Sequence, residues 1–420
     1  MLNALEPGEI LEISPYLEYV PQWVSRELTC MAEDFKGATL IHVNSTASGG
    51  GVAEILRRLV PLQRGLGIDA HWLVMQGDEA FFKTTKKMHN ALQGASETIS
   101  GAEWNHYLEV NRQNLVEHGK ILSAADFVII HDPQPAAMMA LIAEIRGKWA
   151  WRCHIDLSRP FRPVWRRLQE YVRHYQLSIF SLSAFSRRLP HQQVIIPPAI
   201  DPLTEKNCPL EEREVTRICK RLDVPLDIPL FVQVSRFDRF KDPVGVIQAF
   251  KALRRHKEAV LVLAGGSADD DPEGTEVLRE AQEVAGDDPD IKILELPPDA
   301  HRDINALQRA ATVVIQKSLM EGFGLVVTEA LWKGKPVIAG AVGGITLQVR
   351  DNYTGYLVRT VEGCAFRMRH LLRWPLLRVE LGANGIDLVR GNYLITRQLR
   401  DHLMVLAVLS GRAVEPLSEV

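Results

Sequence analysis

The chain has 420 residues, of which 46% are hydrophobic and 24% charged, and a formal net charge of −3. This length exceeds what one hydrophobic core usually supports, so two domains are expected. The balanced charge and apolar content exclude a disordered chain and an electrostatic nucleic-acid binder, and no apolar run approaches the roughly 20 residues that cross a bilayer.

In chain order, residues 1–38 read as an N-terminal extension with little recognisable signal. Its start, MLNALEPGEILEISPYLEYV, has no basic segment and carries Glu and Pro through its apolar part, which argues against a secretory signal. Short apolar or β-branched runs follow at 39–45, 69–75, 126–132, 149–155 and 177–182, then at 229–235, 259–265, 291–296, 312–317 and 335–340. Each is followed by a longer segment of helical periodicity, and this alternation implies parallel strands joined by crossover helices. The expected class is α/β with two doubly wound domains.

The domain boundary is expected at VIIPPAIDPL (194–203), where consecutive prolines stiffen the connection. The expected domains are 1–200 and 201–385. Residues 386–420 are expected as a C-terminal helix that returns to the first domain, although either domain offers the amphipathic YLITRQLRDHLMVLAVL an apolar surface. The five cysteines, Cys30, Cys153, Cys208, Cys219 and Cys364, are scattered and lack CxxC spacing. That disfavours a disulfide framework and a zinc site, and a reduced cytoplasmic enzyme fits best. No repeat at a fixed period is present.

Polar residues gather where the predicted strands end. After the first strand, Gly49, Gly50 and Gly51 precede a helix, whose free amides attract anions; a flexible turn with glycine chosen for its dihedrals serves as well. The run lacks the GxGxxG and GK[ST] patterns. His131 and Asp132 close FVIIHDPQP, and His154 and Asp156 close WRCHIDLS. A lone histidine is more often packed than catalytic, the reading held for His131, but four polar groups on two strand ends suit a polyhydroxylated ligand.

In the second half, VSRFDRFKDP places Arg236 and Lys241 in one loop, a fork and a point charge that suit a diphosphate. Arg239 keeps open the alternative of a solvated basic loop. In SLMEGFGLVVTEALW, the Gly-Phe-Gly bend argues against one helix carrying both Glu321 and Glu329. Glu321 is expected in the loop and Glu329 in the first turns of a helix starting near Leu325. Two cations, an amide-rich helix start and two carboxylates suit a nucleoside diphosphate sugar. DDDPEG (269–274) reads as a solvated loop, and with the basic pair in place of a cation no metal site is expected.

EGFGLVVTE, with SRFDRFKDP and the glycine-rich first loop, resembles family 4 of the retaining glycosyltransferases, which have the GT-B fold of two Rossmann-like domains facing across a cleft. HVNSTASGGGVAEIL, IIHDPQP, WRCHIDLS and VGGI resemble the trehalose glycosyltransferring synthases and related trehalose phosphorylases within it, over nearly all the chain from Leu40. The resemblance implies an N-terminal acceptor domain and a C-terminal nucleotide-sugar domain. It implies Arg236 and Lys241 on the donor diphosphate, Glu321 beside the transferred sugar and Glu329 on the ribose. Backbone amides of Gly322, Phe323, Gly324 and Leu325 would face donor sugar and phosphate, with Gly49, Gly50 and Gly51 approaching the phosphate from the other domain. The base would lie against the segment from Ile293 to Asn305. His154 matches the family histidine near the reacting sugar; Asp132, His154 and Asp156 are the acceptor candidates.

The implied reaction is transfer of glucose from ADP- or UDP-glucose to glucose, giving α,α-trehalose with retention and in reversible fashion, with no required cofactor beyond the nucleoside diphosphate glucose. The alternatives are a trehalose phosphorylase, a family 4 transferase with another acceptor, and a non-catalytic nucleotide-sugar binding module. The expected partners are sugar substrates, with no nucleic acid and no membrane, and the chain is compatible with a homodimer.

Overall fold

The computed structural model describes residues 8–47, 50–254, 258–266 and 272–412. Strands β1 (Thr39–Asn44), β2 (Asp69–Val74), β3 (Phe127–His131), β4 (Lys148–Cys153), β5 (Leu177–Phe180) and β6 (Gln192–Ile195) form one sheet in the order β2-β1-β3-β4-β5-β6. Strands β7 (Leu230–Val234), β8 (Val260–Gly265), β9 (Ile291–Glu295), β10 (Val313–Gln316), β11 (Val337–Gly340) and β12 (Gly355–Val358) form the second, in the order β12-β11-β10-β7-β8-β9. The pairings between these strands are all parallel. The expected class of two doubly wound α/β sheets is thus what the chain forms, and each of the ten expected runs contains a strand.

Two strands lay outside that expectation. β6, QQVI, is a partly exposed sheet edge with two glutamines and so lacks the apolar run of its neighbours. β12, GYLV, is four residues long and follows a turn through Asn352, at φ 61°.

The described residues up to Pro198, with those from Ile395 onward, make one compact unit, and Ala199–Leu394 make the other. In the first, odd-numbered positions of β1 and β4 (Ile41, Val43, Trp149, Trp151, Cys153) enter a core with the helices Glu79–Leu92, Gly101–Ala124 and Arg162–Val172. The period of two sends His42 and Arg152 to the opposite face. There the helix Ile395–Leu409 packs against Gln22–Glu33 and Gly51–Gly65. Trp149 and Trp151 are wholly buried, and each such side chain contributes on the order of 2–3 kcal/mol. In the second unit, Phe231, Leu261, Val313 and Ile338 enter a core with the helices Pro243–Arg254, Pro272–Ala285 and Val361–Arg373. Among the described residues no helix is long and apolar enough to cross a membrane.

Candidate active site

Strand order reverses between β7 and β10, and adjacent loops that diverge to opposite faces open a crevice at the carboxyl ends there. Arg236 and Lys241 follow β7, and Glu321 follows β10. Lys241 ends a single 3-10 turn, Arg239–Lys241, whose carbonyl at Lys241 accepts from Gln233 Nε2 at 2.8 Å. Lys241 Nζ donates to Glu321 Oε2 at 2.5 Å, and Ser318 Oγ donates to the same oxygen at 3.3 Å. With side chains 19% and 11% exposed, this pair is shielded enough to be stronger than a surface ion pair.

Lys241, expected as a phosphate ligand, and Glu321, expected as a sugar ligand, are therefore bonded to each other. Arg236 stays half exposed, 3.7 Å from Asp238. Arg239 bonds Glu276 and Glu280, each at 3.0 Å, which separates it from the other two cations.

The bend expected after Glu321 is present. Gly324 caps the helix Leu325–Trp332 with φ 84°, a left-handed conformation that glycine adopts without cost. Gly344 N donates to Gly322 O at 3.1 Å, and Gln348 Nε2 donates to Phe323 O at 2.5 Å. Gly343, at φ 46°, lies so close that a Cβ there would sit 1.7 Å from Glu321 O. Phe323 is buried edge-on against Tyr393, a packing residue of the loop, whereas Leu325 is half-buried.

Glu329 is 1% exposed. Lys206 Nζ lies 3.6 Å from one carboxylate oxygen and Gln308 Nε2 donates to the other at 3.4 Å. Lys333 Nζ in turn donates to Gln308 Oε1 at 2.8 Å and Asn207 Oδ1 at 3.2 Å, and burial pushes its ammonium down to about 7. Asn305 is not brought to this group. Fully buried, it donates to Glu205 O and Cys208 O at 2.8 and 2.9 Å and accepts from Arg309, so its amide ties down the 205–208 loop.

In the first unit the strand order reverses between β1 and β3. Gly49 lies outside the described residues. Gly50 is the N-cap of the helix Gly51–Gly65, in extended conformation, and a Cβ on it would meet nothing within 4 Å. Among the described residues neither a positive φ nor a neighbouring atom demands glycine at Gly50, an N-cap position that glycine also favours. Asp132 follows β3 at φ 63°, accepts from His154 N at 2.7 Å, and is pushed up to about 7 by burial. Asp156 is buried and accepts from Ser158 N at 2.7 Å.

His131 is packed, as read from the sequence, within a wider network. Its Nε2 is 3.0 Å from His42 Nδ1 and its Nδ1 is 3.1 Å from His154 Nε2. Arg152 donates from Nε to His154 Nε2 and from Nη1 to His402 Nε2, each at 3.2 Å.

His42, Arg152, His402, Lys206, Gln308 and Lys333 were not singled out from the sequence. Two signals were available. His42, His131, Arg152 and His154 share a strand-face parity, and Lys333 stands one helical turn after Glu329.

Residues 42–187 match the family model described as trehalose synthase, N-terminal domain, and residues 215–387 match glycosyl transferases group 1. A trehalose synthase of Pyrococcus horikoshii is 44% identical over 387 residues, 90% of this chain and 92% of that protein. A trehalose phosphorylase of Pleurotus pulmonarius is 28% identical over 363 residues, 75% of this chain and 49% of that one. Among solved structures, a trehalose-6-phosphate synthase, OtsA, superposes with a TM-score of 0.73 at 14% identity, covering 88% of this chain and 99% of that one, a likeness of fold. Two parallel six-stranded sheets of this kind are the GT-B architecture, and the chain belongs to the trehalose synthase family of glycosyltransferases.

Proposed function

We propose that the protein transfers glucose from a nucleoside diphosphate glucose to glucose, with retention, forming α,α-trehalose. The observation that carries this reading is the shielded Lys241–Glu321 pair at the switch point of the second unit, in a chain 44% identical to a trehalose synthase. An ammonium has three donors. One holds Glu321, and the others, with no partner among the described residues, serve a diphosphate oxygen together with the half-exposed Arg236. Glu321 then accepts from hydroxyls of the transferred sugar and faces the positive charge that develops at its anomeric carbon.

In the step itself, the bond from that carbon to the diphosphate oxygen breaks and a bond to the hydroxyl oxygen of the second glucose forms on the same face. The hydroxyl proton passes to the departing phosphate oxygen, giving nucleoside diphosphate and disaccharide. The protein contributes positioning and stabilisation of the leaving charge. Glu329, held by Lys206 and Gln308, serves the ribose hydroxyls, Gly50 of the first unit approaches the donor phosphate, and Asp132, His154 and Asp156 serve the sugars.

The test is to incubate the protein with ADP-, UDP- and GDP-glucose and free glucose, and to identify any disaccharide by NMR. α,α-Trehalose from at least one donor supports the reading. Another disaccharide assigns another acceptor, and glucose 1-phosphate released from trehalose and inorganic phosphate assigns the phosphorylase reaction.

A further inference from the structure

The first unit's switch point contains a line of ring nitrogens whose protons can be placed one after another. A guanidinium donates and never accepts, so the contact from Arg152 Nε at 3.2 Å requires that His154 Nε2 be bare. His131 Nδ1, 3.1 Å from that same nitrogen, must then carry a proton and donate it. His131 is 2% exposed and burial holds its ring neutral, so its Nε2 is bare and His42 Nδ1, at 3.0 Å, donates to it. His42, also fully buried and pushed down to about 3, then has a bare Nε2. Gln63 Oε1 is placed 3.1 Å from this nitrogen, and because the O and NH2 ends of an amide exchange by a flip, the donations fixed from Arg152 onward require the flipped amide, with its NH2 toward the ring.

Donation therefore runs from Gln63 through His42 and His131 to His154 Nε2, where it meets donation from Arg152. His154 has one place left for its proton, Nδ1, which has no partner among the described residues. Arg152 is itself held by Ile196 O at 3.2 Å and by His402 Nε2. Asp132, the nearest carboxyl, contacts His154 through the backbone N–H and leaves the ring tautomer to Arg152 and His131.

We propose that Arg152 and His131 are positioning residues that lock His154 in its Nδ1–H tautomer, so that its ring offers a sugar hydroxyl a donor and cannot take its proton. This rests on the placement of His154 beside a sugar. It adds that the acceptor's proton has no base in this ring, which leaves the departing phosphate oxygen to receive it.

The test uses the full-length enzyme with 15N-labelled histidine, followed by long-range proton–nitrogen correlation at pH 7.5, with the His154 signals assigned from their loss in His154→Gln. The expected result is a protonated Nδ1 and a bare Nε2. A protonated Nε2 on His154 overturns the proposal. Turnover is then compared in two variants at the next position of the line. His131→Leu removes the donor and is expected to lower kcat by about tenfold with donor KM changed by less than about threefold, the scale of outer partners of functional histidines. His131→Asn keeps an N–H near Nδ1 and is expected to recover most of that loss; equal loss in both variants also overturns the proposal. If the wild type transfers no glucose while the tautomer is as stated, the function reading fails and the tautomer assignment stands.

Discussion

The two switch points use opposite means to hold polar groups among apolar strands. In the second unit, opposite charges meet directly: Lys241 with Glu321, Lys317 with Asp242, and Lys206 beside Glu329. In the first, His42, His131, His154 and His402 form a line of rings that burial keeps neutral around Arg152, whose own guanidinium is pushed down to about 9. Paired charges suit a site that must meet a phosphate and a developing cation. Neutral donors and acceptors suit a site that must hold uncharged hydroxyls in a fixed direction.

The largest effect that sharpens this contrast is expected from Glu321→Gln. It keeps the shape of the side chain and removes the charge that faces Lys241 and, in the proposed role, the reacting carbon. Turnover is expected to fall by about 10²–10³, the scale of removing one preorganised electrostatic partner, while unfolding midpoints change little. Steady-state kinetics beside thermal unfolding separates the two.

Gly343→Ala comes next and acts on stability first. A Cβ 1.7 Å from Glu321 O at φ 46° has nowhere to go, so the loop that carries Glu321 must move. A loss of about 2–4 kcal/mol in denaturant unfolding is expected, with turnover falling alongside. Gly50→Ala, at the other switch point, is the counterpart. Its Cβ meets nothing within 4 Å, so stability is expected to change by less than about 1 kcal/mol while activity falls.

Acid unfolding provides a third comparison, with signs that follow from the directions of the shifts. A histidine held neutral in the fold binds a proton in the unfolded chain below about pH 6.5, so stability is lost as pH falls from there toward the lowered folded value, about 3 for His42. Asp132 acts oppositely, being protonated in the fold up to about pH 7 while the unfolded carboxylate is ionised above about 3.8, so its contribution falls as pH rises. The four ring-line histidines, with His118, His191, Glu103 and Asp78 shifted in the same sense, outweigh Asp132 and leave the first unit losing stability toward acid. Each unmatched proton on the buried rings contributes about 1.4 kcal/mol per pH unit. Lys333, lowered from 10.5 to about 7, makes the second unit gain stability as pH rises between those values. Six of the eight tryptophans (Trp23, Trp72, Trp104, Trp149, Trp151 and Trp165) lie in the first unit, so fluorescence between pH 7 and 4 reports chiefly on it. A flat midpoint over that range would contradict the neutral line of rings.

The sheets were legible because most of the ten strands are buried on both faces and all ten read as apolar or β-branched runs, while β6 escaped as a partly exposed edge with two glutamines and β12 as GYLV, a short edge strand opening on glycine. Arg236, Lys241, Glu321 and Glu329 stood out because each is a charge just beyond an apolar strand or at a glycine-broken helix start. That Lys241 would bond Glu321, 80 residues away, needed β7 to lie beside β10, an ordering no local pattern encodes. The same holds for the ring line. Parity places His42 and Arg152 on one face, but their contacts require the register of β1, β3 and β4 and a helix starting at Ile395. Asn305 sits inside the helix His301–Ala310 with its amide on the 205–208 loop, contacts between residues about 100 apart that no local pattern encodes.

The central claim is that the shielded Lys241–Glu321 pair serves a retaining transfer between two glucose units. Its most direct test follows the anomeric signals by NMR as wild type and Glu321→Gln act on nucleoside diphosphate glucose labelled with 13C at the anomeric carbon, in the presence of glucose. The wild type is expected to give labelled α,α-trehalose with the α configuration retained, and the variant almost none. An inverted anomer, or equal rates from the two proteins, would contradict this claim.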